Sequence, residues 1–270
     1  MNVNLRRLSA AAAGLVVALS VSTAAFAADE TRVRVLHASP DAPAVDIYLD
    51  DQMVDALTNV PFGTLSGYLV VPAGAHNVKV YATGTTTSPV INADVTLATG
   101  KSYTIAATNA VASIEAQVIV DNPSPKTGRA QVRVVHLSAD APAVDVAVDG
   151  SAPADALVKG LAYPDASAYL NIPAGSYDLE VRLAGTSTVA LQLDPVTVAD
   201  GQSYSVFAIG SAAAGAANGL QIAVGVDGTA LPDTSTELTP AVSIAPALMV
   251  LAGLALLLVS VRLAVRGRKI

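Results

Sequence analysis

The chain contains no cysteine, which excludes disulfide bonds, thiol nucleophiles and thiolate metal sites. It contains no tryptophan either, and only 4% of its residues are aromatic, so valine, leucine and isoleucine must build its cores. The missing tryptophan argues against the aromatic platforms of many sugar-binding sites. Five tyrosines remain as substitutes for such a platform: Tyr48, Tyr68, Tyr81, Tyr163 and Tyr169.

Basic residues are scarce between the two ends of the chain. Six of the 15 lie in the terminal segments, which leaves nine against 22 acidic residues and a net charge of about −13. Such a surface repels nucleic acid, whose recognition needs a basic footprint. We therefore expect no nucleic-acid partner, and we expect good solubility at a crowded cell surface.

Motifs of the common enzyme classes are absent. The sequence has no Gly-x-Ser-x-Gly, His-Glu-x-x-His or phosphate-loop pattern. His37 lies close in sequence only to Ser39 and Asp41, whereas the members of a catalytic triad normally come from separate segments. The sequence therefore predicts no catalytic residue, no cofactor and no enzyme activity.

One stretch of 14 residues occurs twice in the chain. Val33 to Asp46 returns as Val132 to Asp145 at a constant offset of 99, with 11 of the 14 positions identical. The fold is therefore one unit used twice. In each copy, apolar and polar residues alternate on both sides of a Pro-containing turn, which predicts a strand, a tight turn and a second strand. The shared motif comprises His37, Ser39, Asp41, Pro43 and Asp46, with counterparts His136, Ser138, Asp140, Pro142 and Asp145.

These motif residues have a structural and a functional interpretation. His37 shares a strand face with Val33 and Val35, so we expect it to point inward and to hydrogen-bond the following turn. Carboxylates near strand ends usually cap turns, but they could also supply oxygens to Ca²⁺, although their spacing is not that of an EF-hand. The acidic candidates are Asp41, Asp46, Asp50, Asp51, Asp140, Asp145 and Asp149.

A second pattern shared by the copies places a tyrosine three residues after a glycine. Leu97 to Tyr103 reads LATGKSY, and Val198 to Tyr204 reads VADGQSY. The pattern resembles the tyrosine corner of immunoglobulin-like sandwiches, and the resemblance implies that the Tyr103 and Tyr204 hydroxyls bond back to the main chain. The alternative is an ordinary tyrosine at the start of a strand. Both interpretations predict a strand at this place. The sequence as a whole predicts an all-β chain of two tandem immunoglobulin-like β-sandwich domains.

The two copies of the motif, HASPDAPAVDIYLD and HLSADAPAVDVAVDG, resemble the bacterial family known as domain of unknown function 4397. The resemblance covers both repeats. It implies an exported protein with immunoglobulin-like domains, and it implies no activity, because the family has none assigned.

Composition divides the chain into seven segments. Residues 121–130 hold two prolines and a glycine without apolar periodicity, which predicts a linker. The predicted segments are a signal peptide (1–27), sandwich repeat 1 (28–120), the linker (121–130), sandwich repeat 2 (131–228), a second linker (229–240), a transmembrane helix (241–261) and a basic cytoplasmic tail (262–270).

The two ends carry the patterns of export and anchoring. Arg6 and Arg7 precede an apolar run that ends in Ala-Phe-Ala at residue 27, which is typical of a cleaved signal peptide; an uncleaved anchor is the alternative. Residues 241–261 form a run of 21 without a charge, long enough to span a bilayer. The basic residues that follow predict a cytoplasmic tail, so both repeats are expected outside the cell.

A pentapeptide before this run resembles the sorting signal of sortase substrates. It consists of Leu231, Pro232, Asp233, Thr234 and Ser235. The resemblance implies cleavage after Thr234 by a sortase and covalent attachment to the cell envelope. Ser235 departs from the pattern because glycine is usual there, so an ordinary linker ahead of a single-pass anchor remains the alternative.

Together these features predict an exported, surface-tethered protein with a structural, display or adhesion role. Its partners would be the membrane, through the C-terminal helix, or a sortase and the cell envelope. The alternative is a binding module for an envelope polysaccharide or a partner protein, assisted by calcium.

Overall fold

The computed structural model describes residues 30–193 and 195–230, and this part of the chain is all-β. Each repeat begins with a strand that carries the shared motif at its end. Repeat 1 comprises β1 (Arg32–His37), β2 (Val45–Leu49), β3 (Gln52–Met53), β4 (Leu69–Val70), β5 (Gly74–Ala82), β6 (Ile91–Leu97), β7 (Ser102–Thr108) and β8 (Glu115–Asp121). Repeat 2 comprises β9 (Ala130–His136), β10 (Val144–Val148), β11 (Val158–Leu161), β12 (Leu170–Ile172), β13 (Gly175–Tyr177), β14 (Leu179–Leu183), β15 (Val189–Gln192), β16 (Val196–Val198), β17 (Gln202–Ile209) and β18 (Gln221–Thr229).

Short 3-10 helices at Asp55–Leu57, Val111–Ser113 and Pro153–Asp155 interrupt the connections between strands. β8 ends at Asp121 and β9 begins at Ala130, the two limits of the predicted linker.

Repeat 1 forms two four-stranded sheets. We call the sheet of order β4-β1-β7-β8 inner sheet 1 and the sheet of order β3-β2-β5-β6 outer sheet 1. β1 runs parallel to β7, with Val33 opposite Tyr103, and all the other pairings in these sheets are antiparallel. The parallel pair departs from the antiparallel sheets on which an immunoglobulin-like prediction rests.

Repeat 2 uses the same plan with a broken outer layer. Inner sheet 2 has the order β12-β9-β17-β18, and β9 again runs parallel to β17. Outer sheet 2 has the order β11-β10-β14-β15, while β13 and β16 form a separate pair. Pro195 lies between β15 and β16, and its missing N–H prevents one continuous ladder such as β6 makes in repeat 1.

Each repeat buries aliphatic side chains between its own inner and outer sheets. In repeat 1 this core joins Val33 and Ile105 of the inner sheet to Ile47 and Val80 of the outer sheet. In repeat 2, residues of β9, β10, β11 and β14 form the equivalent core. Period-two alternation accounts for both cores, because every second side chain of a strand faces the opposing sheet.

A third core lies between the repeats. Leu36, Ala106 and Ile119 of inner sheet 1 pack against Phe207 and Ile209 of inner sheet 2. The four sheets therefore stack in the order outer 1, inner 1, inner 2, outer 2. Both faces of the inner sheets are covered at their central strands, which explains why every residue of β7 is buried, whereas the edge strands β8 and β18 expose Val120 and Val226.

The described residues contain no helix that is long and apolar enough to cross a membrane. The predicted signal peptide, the Leu231 to Ser235 pentapeptide, the predicted transmembrane helix and the basic tail all lie outside the described residues.

Candidate functional site

The shared motif forms the turn that carries the chain from the inner to the outer sheet in each repeat. His37 is fully buried at the end of β1, and its Nε2 lies 3.0 Å from the carbonyl oxygen of Pro43. His136 makes the same contact with the carbonyl of Pro142 at 3.1 Å. Burial lowers the pKa of both imidazoles, which keeps the rings neutral. Each histidine therefore links the first residue of its motif to the proline carbonyl at the other end of the turn.

The motif aspartates bind loop main chain. Asp46 accepts bonds from the N–H groups of Asn59 and Gly84 at 2.7 and 3.1 Å. Its counterpart Asp145 accepts from Gly160 and Gly185 at 2.7 and 2.8 Å. In each repeat one carboxylate thus joins two main-chain segments that are far apart in sequence: two loops in repeat 1, and strand β11 and the β14–β15 turn in repeat 2. The hydrogen bond from Asn59 is the main cause of the lowered pKa of Asp46.

The first aspartate of each motif differs in what it binds. Asp41 accepts a bond from the N–H of Val111 at 2.7 Å. Asp140 accepts from Ser211 and from the N–H of Ala212, at 2.5 and 2.9 Å, so it holds the small-residue loop 210–219. Both motif serines are buried, but only the Ser138 hydroxyl bonds its aspartate, donating to Asp140 at 3.3 Å, while the Ser39 hydroxyl has no hydrogen-bond partner among the described residues. The structure bonds His37 to Pro43 and Asp41 to Val111, and this arrangement does not assemble a Ser-His-Asp triad.

The remaining acidic candidates lie in turns. Asp50 contacts Nδ1 of His76 at 2.7 Å, and this hydrogen bond raises the pKa of His76 and lowers that of Asp50. Asp51 forms an exposed ion pair with Lys79. Asp149 lies in the turn after β10, where its N–H donates to the carbonyl of Asp178 at 2.9 Å. Within residues 30–193 and 195–230, no three histidine or acidic side chains gather as a metal site would require.

The two motif tyrosines sit at equivalent corners. The hydroxyl oxygen of Tyr103 accepts a hydrogen bond from the N–H of Ala98 at 3.0 Å, and Tyr204 accepts from Ala199 at 3.0 Å. The glycine in each pattern has φ +69°, a left-handed conformation that costs little energy for glycine and more for other residues. The glycine turns the chain so that the phenol reaches back to the main chain.

A buried polar cluster that the sequence did not predict lies between the repeats. The alternation in β1 suggests that Arg34 faces water, yet Arg34 is only 1% exposed and Arg133 only 4%. Arg34 donates from Nε to Thr104 at 2.8 Å and from Nη2 to Asp227 of repeat 2 at 2.5 Å. The prediction of strand β1 is confirmed, but the other repeat, and not solvent, covers the polar face of this strand.

Arg133 makes the reciprocal contacts. It donates from Nε to Ser205 at 2.7 Å, forms an ion pair with Asp121 of repeat 1, and donates from Nη1 to the carbonyl of Val120 at 2.9 Å. Each repeat therefore supplies an arginine to the carboxylate of the other. The contacts follow the pattern of a two-fold symmetric interface, in which the same patch is used from both sides.

Each buried carboxylate is also held within its own repeat. Asp121 accepts from Tyr68 at 2.6 Å and from Thr104 at 2.7 Å. Asp227 accepts from Tyr169 at 2.6 Å and from Ser205 at 2.5 Å. Two carboxylates that are at most 3% exposed thus have multiple charged and neutral donors, which offsets the cost of burying them.

The tyrosines of this cluster also contact the arginines through their rings. The guanidinium of Arg34 lies 4.6 Å from the ring centre of Tyr68, and that of Arg133 lies 4.8 Å from the ring centre of Tyr169. Burial raises the pKa of both phenols, so they stay protonated and remain hydrogen-bond donors. We call these eight side chains the reciprocal cluster: Arg34, Tyr68, Thr104, Asp121, Arg133, Tyr169, Ser205 and Asp227.

Tight packing accompanies the cluster. A Cβ added at Gly225 would lie 2.5 Å from both Arg34 and Leu65. Glycine at this place in β18 lets the repeat 1 side chains approach the main chain of repeat 2. The sequence contained one indication of the cluster, because each of its members in repeat 1 has a matching residue type in repeat 2. No pattern within a single strand, however, shows that the two repeats cover each other.

Two further features lie on the surface. A crevice of about 240 Å³ lies between the motif turns of the two repeats and is lined in part by Asp41 and Asp140. On outer sheet 1, the half-buried Tyr48 and Tyr81 form an edge-to-face pair with ring centres 5.0 Å apart. Of the five candidate tyrosines, Tyr68 and Tyr169 belong to the reciprocal cluster.

Tyr163 also lies between the repeats. Its hydroxyl group contacts Thr108 and donates to Glu115 of repeat 1, at 3.2 and 3.0 Å. Tyr48 and Tyr81 are therefore the two candidates that form a pair on an outer sheet.

Comparison with protein families gives one match that covers most of the chain. The model described as "Domain of unknown function (DUF4397)" matches residues 31–147 and 144–239. No curated protein matches the chain.

Solved structures give weak matches. One is a proposed cell adhesion protein from Bacteroides eggerthii DSM 20697, at 12% identity and TM-score 0.18, covering 74% of this chain and 96% of that one. Another is the fimbrial anchor protein Mfa2 from Porphyromonas gingivalis, at 10% identity and TM-score 0.19, covering 74% of this chain and 99% of that one. Both TM-scores are too low for the function of either protein to be transferred to this chain.

Proposed function

The chain belongs to the DUF4397 family, whose description assigns no function, and from the chain's own geometry we propose that it is a rigid structural module displayed outside the cell. In this proposal two immunoglobulin-like sandwiches act as one block, held at the envelope by the C-terminal segment. The block serves as a stalk, spacer or adhesion support. It has no catalytic role.

The reciprocal cluster is the observation that carries the proposal. Interfaces between domains of one chain are usually modest and allow relative motion. Here the interface combines an apolar core with two buried arginine–carboxylate pairs, one supplied in each direction. Rotation of one repeat against the other would separate these charges in a low-dielectric interior, which is strongly unfavourable. A module built in this way holds whatever it carries at a fixed distance and angle.

The sequence supports the location. The signal-peptide pattern, the 21-residue uncharged run and the basic tail predict export and tethering, and the acidic surface favours solubility outside the cell. Two forms of tethering fit these features. The chain is retained as a single-pass membrane protein, or a sortase joins Thr234 to the envelope.

Pulsed electron paramagnetic resonance tests the rigidity. Because the chain has no cysteine, Thr96→Cys and Thr197→Cys create two unique labelling sites, one exposed on β6 and one on β16. We expect one narrow distance distribution. Introducing Asp227→Asn should broaden it, whereas Asp51→Asn at an exposed ion pair should leave it unchanged. A broad distribution in the unaltered protein contradicts the proposal.

Mass spectrometry of the C-terminal peptide from native envelopes tests the tethering. A peptide that ends at Thr234 and carries an envelope fragment would support sortase processing. An intact tail to Ile270 would support a permanent membrane anchor. Absence of the protein from the envelope fraction, or turnover of a substrate by the purified protein, would contradict the proposed role.

A binding module for an envelope polysaccharide is the second candidate, and one surface favours it. Tyr48 and Tyr81 share one face of outer sheet 1 with Asn77, Asn92 and Asp94, and Lys79 lies opposite both Tyr48 and Asn92 on this face. The amide of Asn77 donates to both Asn92 and Asp94. Aromatic faces next to amide and carboxylate groups suit the apolar and hydroxyl faces of a sugar. Saturable binding on a glycan array that is lost in Tyr48→Ala/Tyr81→Ala but kept in Tyr177→Ala would favour this candidate.

A further inference from the structure

Repeat 1 contains a cavity that the structural role does not use. It has a volume of about 290 Å³ and lies between inner sheet 1 and outer sheet 1, at the end of the sandwich opposite the motif turn. Thirteen residues line it, and all of them are valine, leucine or isoleucine. Close packing leaves few voids of this size in protein interiors. Repeat 2 has a pocket of about 390 Å³ at its motif end, but His136, Ser138 and Gln221 are part of its lining, so the wholly aliphatic lining distinguishes the cavity of repeat 1.

The short edge strands explain why the cavity reaches the surface. β3 and β4, which lie at the same side of the two sheets, have only two residues each. The rim is formed by Leu49, Val54 and Leu69, which are half-buried, and by Val70, which is 64% exposed. Val95 and Ile105, both buried, lie deeper between the sheets. The cavity is therefore an apolar pocket with one open end.

From this geometry we propose that repeat 1 binds a single unbranched hydrocarbon chain, whose polar end stays in the solvent. A lining without polar side chains offers no hydrogen bond to water or to a polar ligand, so the occupant must be apolar along its buried part. The volume is roughly twice the ~150 Å³ cavity that holds benzene, so it accommodates about ten carbons and not the two chains of a phospholipid. The open rim lets a polar end remain hydrated beside the Asp50 and His76 turn, which follows Leu49.

Methyl-resolved NMR of the full chain tests the proposal with decanol and decanoate as probes. We expect saturable one-to-one shifts of the Leu57 and Val95 methyl groups, with repeat 2 unaffected. Both probes should bind if only the chain is recognised. Vesicles of phosphatidylcholine should produce no such shifts, because two chains exceed the volume.

Variants at the rim separate the pocket from non-specific partitioning. Val54→Phe and Leu69→Phe narrow the mouth from opposite sheets, and each should weaken decanol binding at least ten-fold. Leu157→Phe is the matched control, because the N–H of Leu157 bonds Val146 as that of Val54 bonds Ile47. It should bind decanol as the unaltered chain does. The methyl spectrum of repeat 2 should stay unchanged in the two repeat 1 variants, and that of repeat 1 should stay unchanged in Leu157→Phe, which reports that each variant is folded. Absence of saturation up to the solubility limit, or equal binding by all three variants, would overturn the proposal.

Discussion

Replacing Asp227 with asparagine should destabilise both repeats together. The carboxylate is 2% exposed and accepts bonds from Arg34 at 2.5 Å, from Tyr169 at 2.6 Å and from Ser205 at 2.5 Å. Asparagine keeps the shape but removes the charge, which leaves the guanidinium of Arg34 buried with only a longer contact of 3.6 Å to Asp121, the carboxylate that already pairs with Arg133. Breaking a buried ion pair in this way costs about 3–5 kcal/mol, a large part of the ~5–15 kcal/mol that stabilises a typical domain.

Urea denaturation followed by circular dichroism measures this change. We expect one transition at lower urea for Asp227→Asn, and a similar shift for the reciprocal Asp121→Asn. The exposed pair of Lys79 with Asp51 provides the control, so Asp51→Asn should leave the midpoint unchanged. Removing both charges at once, in Arg34→Met/Asp227→Leu, should recover much of the loss because no charge is then left unpaired. A loss below ~1 kcal/mol for Asp227→Asn, the range of surface ion pairs, would refute the reasoning.

Three further predictions concern the turns and the packing. Gly225→Ala places a Cβ 2.5 Å from Arg34 and should cost about 1–3 kcal/mol in the same urea experiment, through overpacking. Tyr103→Phe removes the acceptor of a backbone N–H and should cost about 1–3 kcal/mol, again measured in urea; no change would mean that the corner contributes nothing. His37 and His136 should titrate below 6.5 in NMR, whereas His76 should titrate above it. Below about pH 6.5 His37 and His136 bind more protons in the unfolded chain than in the folded one, so the free energy of unfolding should decrease as the pH drops below this value. A pKa of 6.5 or higher for either histidine would contradict its burial.

The sequence predicted the strands and the turns because their signals are local. Alternation identified β1 and β2, and the glycine pattern placed Tyr103 and Tyr204 near the starts of strands, directly after turns at Gly100 and Gly201. The repeat itself showed that one unit is used twice, and the family match agrees with it.

The interface between the repeats could not be predicted from the sequence, because it depends on residues that are far apart in the chain. Arg34 and Asp227 are separated by 193 positions, and nothing next to either residue identifies its partner. An arginine on the polar side of an alternating strand is normally solvated, so the pattern favoured the wrong surroundings for Arg34. The cavity was hidden for a similar reason, since the aliphatic residues that line it look like ordinary core positions in the sequence.

The way in which the inner sheets pair limits how this architecture can grow. In solenoid proteins each repeat has two contact faces, so further copies extend the array indefinitely. Here each repeat has one inner face, and the partner repeat covers it completely enough to bury Arg34 and Arg133. A third copy would find no complementary face, and its own arginine and carboxylate would remain without partners. The pair is therefore a closed unit, and a longer protein of this kind would have to gain repeats two at a time.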